Sequence, residues 1–340
     1  ALGYDSSIEG YTGPNWTVSV IKQAVGIGLD DGNDEFVGSK AVTRQEAALY
    51  AFNMLQATMV EYDQQNTIVV GDITINTTSS RKDVVNNDKN ESISEDNKMQ
   101  FAERYFDDLK LSDGDDAFGR PSNVWTLKSD EIGTYANMDQ LVGTYTAKVS
   151  SKTLYNDVGR TAAQDYDWTV YTNGEANEYS FDGNDLYDNR TSTDCFLKEA
   201  AGENVTGNGV LTQVYVDSKE KEVTVSVIDS YVAEVYKVDE KDGTITLSDL
   251  VDGPADASDD EFATTAFAED DVVVYTYAND EIQSVVKAES VEGTVTKVKD
   301  KDNFSLDGTS YSYSKNMDAS DKLDTDDVDA ETVAYLDAYG

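Results

Sequence analysis

The side chains able to do chemistry in this chain are overwhelmingly carboxylates, 67 Asp plus Glu against 26 Lys plus Arg. They crowd into "SDGDD" (112–116), "FDGNDLYDN" (181–189), "DASDDE" (256–261) and "DTDDVDAE" (324–331). Calcium prefers several oxygen ligands from carboxylates and carbonyls. On that ground Asp113, Asp115, Asp182, Asn184, Asp185, Asp324 and Asp326 are candidate calcium ligands. No cluster has the D-x-[DN]-x-[DN]-G loop, so each also reads as a plain solvated loop. A carboxylate pair could run glycoside hydrolysis, but among so many acids a pair without geometry carries nothing. Histidine is absent, which removes Ser-His-Asp and Cys-His triads, His-ligated zinc and imidazole acid/base work. The single cysteine, Cys195, permits neither an internal disulfide nor a Cys-x-x-Cys site, and it reads as a small buried hydrophobe. Glycine-rich phosphate loops and nucleophile elbows are also missing. The expectation is that the chain is not an enzyme.

The formal net charge of -41 argues against nucleic acid and anionic lipid as partners, because phosphates would be repelled. It also opposes compactness unless cations or salt screen it, as divalent cations outside a cell would. Hydrophobic residues at 39% rule out a disordered acidic tail. No apolar run approaches the ~18 residues of a membrane span. The sequons Asn76-Thr77-Thr78 and Asn204-Val205-Thr206 would permit glycosylation of an exported chain.

The elements that must position these groups begin with two helices. "NWTVSVIKQAVGIG" (15–28) places Trp16, Val18, Ile21, Ala24, Val25 and Gly28 at helical spacing. A polar loop follows, and "VTRQEAALYAF" (42–52) opens a second helix with an apolar stripe of Ala47, Ala48, Ala51, Phe52, Leu55 and Met59. Thr43 and Glu46 have the S/T-x-x-E spacing of a capping box. "TIVVGDITINTT" (67–78) alternates as a strand, and 79–98 reads as a surface loop. "MQFAERYFDDL" reads as a short helix near 99–110 that brings Phe101, Tyr105 and Leu109 together at i, i+4. From Thr134 onward strand signals dominate.

Val210, Thr212, Val214 and Val216 alternate, "DSKE" turns the chain, and Val223, Val225 and Val227 alternate again, which is a hairpin with its register set. Asp242-Gly243 and Asp307-Gly308 are type I′ turn signals. Residues 272–277 and 282–286 form another pair around "ANDE". "VAEVYKVDEKDGTITL" (232–247) matches "VEGTVTKVKDKDNFSL" (291–306) as a weak repeat. Either similar hairpin chemistry or two duplicated small β domains would produce it.

Residues 1–62 resemble the S-layer homology repeat of bacterial cell-surface proteins. The resemblance runs through Trp16, Gly28-Leu29, Phe36 and "VTRQE", with Gln45 in place of the family's alanine and no proline after Phe36. The opening "ALGYD" is similar to the closing "TMVEYD", so the chain is expected to begin inside a larger array. "LDAYG" at the other end resembles the start of a strand that would continue. "FAERYFDDLK" and "DAFGRPSNVWTLKSDEIGTY" are similar to segments that follow such repeats. What the resemblance implies is anchoring to an anionic secondary cell-wall polysaccharide. Carried over by position, Arg44 would pair with the ligand's carboxylate and Trp16 would flank the sugar or pack beneath it. Thr43 and Glu46 would keep the pocket in shape as the helix cap.

The expected fold is α+β, mostly β: a two-helix repeat over 1–62, a β-rich domain over 63–208, and antiparallel β domains over 209–340. The β domains are expected to be sandwich- or barrel-like. The expected function is that of an extracellular structural protein, anchored to the cell wall and self-assembling into a surface layer or filament, with Ca2+ as its one candidate cofactor. A monomeric wall-anchored adhesin or carbohydrate-binding protein is the alternative, and a wall-anchored hydrolase comes third.

Overall fold

The computed structural model describes residues 1–63, 67–70, 73–76, 79–87, 91–177, 181, 183–198, 204–248, 260–299, 302–317 and 319–339. The fold is α+β and mostly β, at 40% strand against 18% helix. It divides into two compact units, Ala1–Asp113 with Asn123–Thr134 and Gly114–Ser122 with Tyr135–Gly340. Strand pairing crosses residues 62/63 and 208/209, where the sequence reading sets its boundaries.

In the first unit α1 (Trp16–Gly26) and α2 (Arg44–Gln56) form as their spacing predicts. Their stripes do not make a core, however, for neither helix has a buried residue. Trp16, Val18 and Val25 are exposed, and Met59 lies beyond the end of α2. The unit's buried core residues lie outside the two helices, with Leu2 joining residues beyond 56. Ala57, Met59 and Met99 gather Met54 and Phe101, while Ile93, Ala102, Leu109 and Trp125 gather Phe52 and Leu55. β1 (Val60–Tyr62) pairs across the 62/63 boundary with β4 (Arg81–Asp83), inside the segment expected to be only a loop. Between them β2 (Thr67–Val70) and β3 (Ile73–Asn76) form a hairpin. The short helix α3 spans only Phe101–Tyr105, and Leu109 instead starts β5 (Leu109–Asp115). β6 (Pro121–Leu127) and β7 (Asp130–Ala136) complete a three-stranded sheet with β5.

The second unit contains a helix that alternation alone did not reveal. β8 (Leu141–Tyr145) leads through α4 (Ser151–Asp165) to β9 (Asp167–Thr172), followed by β10 (Glu175–Ala176) and α5 (Gly183–Asp188). β11 (Val210–Asp217) and β12 (Glu222–Asp229) form the expected hairpin, Val214 opposite Val225 and Val216 opposite Val223. That hairpin is inserted between β8 and β9, so the sheet order is β10-β9-β12-β11-β8. β12 therefore runs parallel to β9, the exception among otherwise antiparallel ladders of the described residues. α4 is the crossover from β8 to β9, which run in the same direction, and β11 and β12 alternate back from β8, which leaves β12 parallel to β9. Leu154, Val158, Ala162 and Ala163 of α4 are buried on Val214, Val223, Val225 and Val227.

The repeat noticed in the sequence is structural. β13 (Tyr231–Asp239) pairs with β14 (Thr244–Ser248), Val235 opposite Leu247 and Lys237 opposite Thr246, with a bulge between Val235 and Lys237. β18 (Glu289–Lys299) pairs with β19 (Asn303–Leu306), Val295 opposite Leu306 and Lys297 opposite Ser305, with the bulge at the matching place. β16 (Val272–Ala278) lies on the other side of β13 as β21 (Glu331–Leu336) lies on the other side of β18. Val235 N–H donates to Asp271 O and accepts through its carbonyl from Asp270 N–H; Val295 makes the same pair with Ala330 and Asp329. Asp270 (φ 68°) and Asp329 (φ 74°) share the left-handed conformation that permits this. Agreement in register, bulge and backbone conformation is more than similar hairpin chemistry provides.

β15 (Glu261–Ala263) extends β14, and β20 (Thr309–Ser312) extends β19. β17 (Glu281–Lys287) completes the first copy on the outer edge of β16, giving the order β15-β14-β13-β16-β17. The second copy has the order β20-β19-β18-β21. The Asp307-Gly308 turn has both φ positive, as type I′ requires. At Asp242-Gly243 only Gly243 is positive, because the loop closes four residues, from Asp239 O to Gly243 N–H.

Candidate functional site

Thr43 and Glu46 form the capping box their spacing promised. Glu46 N–H donates to Thr43 Oγ1 at 3.1 Å and Thr43 N–H donates to Glu46 Oε2 at 2.6 Å. Two further groups hold the carboxylate, Asn33 Nδ2 at 3.5 Å and Lys40 Nζ at 3.8 Å. The bond from Thr43 N–H, then that with the Thr43 side chain, keeps the Glu46 carboxyl below its ordinary pKa, with Lys40 and Asn33 adding to the effect. Asn33 Nδ2 also donates to Tyr50 Oη at 2.8 Å, and Phe36 packs edge-on against that ring. Asn53 Nδ2 reaches the carbonyls of Leu29 and Asp31. The loop between the helices is thus tied to α2 at three places.

Arg44 is the first residue of α2 and is exposed. Among the described residues no hydrogen bond, ion pair or ring contact engages its guanidinium, although Glu46 stands two residues away in a strongly acidic chain. Trp16 opens α1 and is 52% exposed. No hydrogen bond, ion pair or cation–π contact joins it to Arg44 among the described residues.

Among the described residues no group of three or more acidic, Cys or His side chains is placed to hold a metal ion. Asp113 and Asp115 are exposed on β5. Although Asp115 as a whole is exposed, partial desolvation of its carboxyl by surrounding protein, then the neighbouring Asp116, raises it above its ordinary pKa. Asp116, in the same cluster but not among the candidate ligands, is held within the fold. Its Oδ2 accepts from Arg120 Nε at 2.6 Å and its Oδ1 from the N–H groups of Phe118 and Arg120. Asp324 caps a 3-10 turn over Thr325–Asp327, accepting from Asp326 N–H at 2.7 Å. The Asp326 side chain sits in that turn's first residues. Asn184 and Asp185 are exposed in the first turn of α5, and Asp182 lies outside the described residues.

The same duty recurs elsewhere. Asp5, Asp96, Asp217 and Asp239 each accept from a backbone N–H two or three residues on. Short acidic side chains close turns this way.

Two features escaped the sequence reading. Glu103, 4% exposed, gathers Asn86 Nδ2 and the N–H groups of Ile93, Ser94 and Gln100. Its Gln100-x-x-Glu103 spacing was the available signal. The second is a cavity of about 410 Å³ in the last repeat copy, lined by residues 311–314 and 332–336 with Tyr231, Val232 and Phe304. The sequon threonine Thr206 is buried and accepts from Val149 N–H, so that sequon is not presented by the folded chain. Residues 77 and 78 of the other sequon lie outside the described residues. Cys195 is half-buried against the α4 core.

No family model, no curated protein and no solved structure matches this chain. Among the described residues no helix is long and apolar enough to cross a membrane.

Proposed function

We propose that this chain is a structural protein of the bacterial cell surface, anchored to an anionic wall polysaccharide through the α1–α2 segment and self-associating through its β units. Arg44 carries the reading. A cation held at the start of a capped helix, exposed and without a counter-ion among the described residues, is poised for a carboxylate from outside the chain. A guanidinium offers two parallel N–H donors to such a group. The ties of Asn33 and Asn53 fix the neighbouring loop, and the resemblance to the S-layer homology repeat supplies the ligand class. Trp16, exposed at the head of the neighbouring helix, offers a flat apolar face to a sugar ring.

The test is cosedimentation of the purified chain with wall sacculi that retain their secondary polysaccharide, beside sacculi stripped of it. Binding should depend on the polysaccharide, fall at least tenfold in Arg44→Ala, and fall less in Arg44→Lys, which keeps the charge but loses the planar fork. Equal binding by wild type and Arg44→Ala would refute the anchoring site. Light scattering of the chain alone reads self-association separately.

A further inference from the structure

Tyr187, in the last turn of α5, carries two arginines on one ring. The guanidinium carbon of Arg190 lies 4.3 Å from the ring centroid, and that of Arg160, from α4, lies 5.4 Å from it. Tyr155 of α4 meets the same ring edge-on, with centroids 6.0 Å apart. The helices that present these groups are fixed to each other. Leu186 of α5 joins Leu154, Val158 and Ala163 of α4 in one buried cluster. A Cβ on Gly183 would overlap the carbonyl oxygen of Ala163, so the two helices approach closely. Gly159, at φ 79°, breaks the helical path of α4 directly before Arg160.

Each guanidinium is tied by one bond within the chain. Arg190 donates through a terminal nitrogen to Tyr187 O at 2.7 Å, and Arg160 Nε donates to Gln164 Oε1 at 2.8 Å. Their remaining N–H groups, and the hydroxyls of Tyr155 and Tyr187, meet no acceptor among the described residues. That runs against the composition, since the chain holds 67 acids. Arg81 pairs with Glu9 at 3.2 Å and Arg120 with Asp116 at 2.6 Å. Asp157, three residues before Arg160, is taken instead by the hydroxyl of Tyr145. Asp185 and Asp188 lie on α5 with Tyr187, yet among the described residues neither forms an ion pair with these arginines.

We propose that Arg160, Arg190 and Tyr187 form a binding site for one compact tetrahedral oxyanion, a phosphate ion or the phosphate of a small monoester. The donors decide the class of ligand. A carboxylate has two oxygens in one plane and is filled by a single guanidinium fork. Two forks on one ring, with phenol hydroxyls beside them, call for several oxygens pointing in different directions, as a phosphate offers. Arginine's planar, weakly hydrated head suits that partner better than a lysine would. Charge decides the size. Repulsion by a net charge of -41 grows with every phosphate of a nucleic acid or lipid surface, whereas a lone phosphate brings a charge of about -2 at most. The site rests on α4 and α5 alone, and neither wall anchoring nor self-association enters it.

Each of the chain's six arginines gives one Nε–H signal in a proton–nitrogen NMR correlation spectrum. Inorganic phosphate, titrated into the full chain at constant ionic strength in slightly acidic buffer, should move the Arg160 and Arg190 signals along one saturation curve. The other four, Arg44 included, should follow no such curve. Glycerol phosphate should bind with the same curve, and acetate should need at least tenfold higher concentration. Arg160→Gln should weaken phosphate binding read at Arg190 at least tenfold, and Arg190→Gln should do the same for binding read at Arg160. Unmoved signals from the remaining arginines show that each variant keeps its fold. Six signals that drift together without saturation, an acetate curve equal to that of phosphate, or an Arg190 curve untouched by Arg160→Gln overturns the site. Binding of phosphate with failure of glycerol phosphate overturns the ester as source and leaves the free ion. Sacculus binding through Arg44 is unaffected by any of these outcomes, so failure here is distinguishable from failure of the anchoring site.

Discussion

Four donors converge on the buried carboxylate of Glu103, and three of them are backbone N–H groups from two separate turns of loop. An ionised carboxylate can take such a set because it is acceptor-only with several lone pairs. Removing it strands donors that are already out of water, and each stranded donor costs more than its bond contributed. Glu103→Ala should therefore destabilise the first unit by about 3 kcal/mol, and Glu103→Gln by less, since the amide keeps one acceptor oxygen. Urea unfolding followed by Trp125 fluorescence reads this directly, the ring lying 3% exposed in the same core as Ala102. A loss under about 0.5 kcal/mol for Glu103→Ala, the range of ordinary surface changes, would mean the loop finds other partners. The contrast with Glu46 is instructive. That carboxylate is also a cap, but it keeps 19% of its side-chain exposure, beside Lys40.

At the scale of elements, the turn between β9 and β10 shows why some local signals are decisive. Asn173 (φ 50°) and Gly174 (φ 85°) link Thr172 to Glu175 as a two-residue turn, and a Cβ on Gly174 would collide with the carbonyl oxygen of Ala117. Gly174→Ala combines left-handed strain with backbone overlap and should cost about 3 kcal/mol, visible as a fall in Tm of the second unit. A variant melting with wild type would show that the 116–120 loop yields freely. Signals of this kind were legible from the sequence because they are local. The Asp307-Gly308 turn, the valine register of β11 and β12, and the Thr43–Glu46 box each need only a few adjacent residues. What failed depended on distant partners. The helix stripes of α1 and α2 looked like core, yet the core forms from Ala57, Met99 and Trp125. α4 was missed because Gly159, at φ 79°, interrupts a mostly polar run whose Leu154, Val158 and Ala162 carry the burial. Without α4 the parallel β9–β12 pair could not be foreseen. Composition cannot separate a calcium ligand from a turn cap, and in the acidic clusters Asp116 and Asp324 close turns.

The whole molecule carries a charge of -41 that its own cations do not neutralise. The ion pairs formed by Lys82, Lys98, Lys219 and Lys241 join largely exposed groups, each worth little. Self-repulsion is thus a global term opposing compactness, and it should answer to screening. At pH 7, Tm should rise as NaCl goes from about 10 mM to about 100 mM, as the screening length falls from ~30 Å to ~10 Å. A flat Tm would show that the turn-closing contacts already absorb the repulsion. Replacing NaCl by CaCl2 at equal ionic strength separates a bound ion from the atmosphere, since only a bound ion adds a further rise. Acid has a different effect from salt. Hydrogen bonds from backbone N–H groups, of Thr43, Asp242 and Ala268, are the leading reason that Glu46, Asp239 and Asp271 titrate below their ordinary values. A group whose folded pKa is depressed contributes stability above its unfolded value and loses it as pH falls through the folded one. The caps therefore hold from neutrality down to about pH 4 and fail below it. Salt added in acid should not restore them once the pH lies below their lowered values, because the acceptors are then protonated. Salt that rescued Tm equally in such acid and at pH 7 would place the acid loss in net charge alone, and would remove the turn-closing role assigned to these carboxylates.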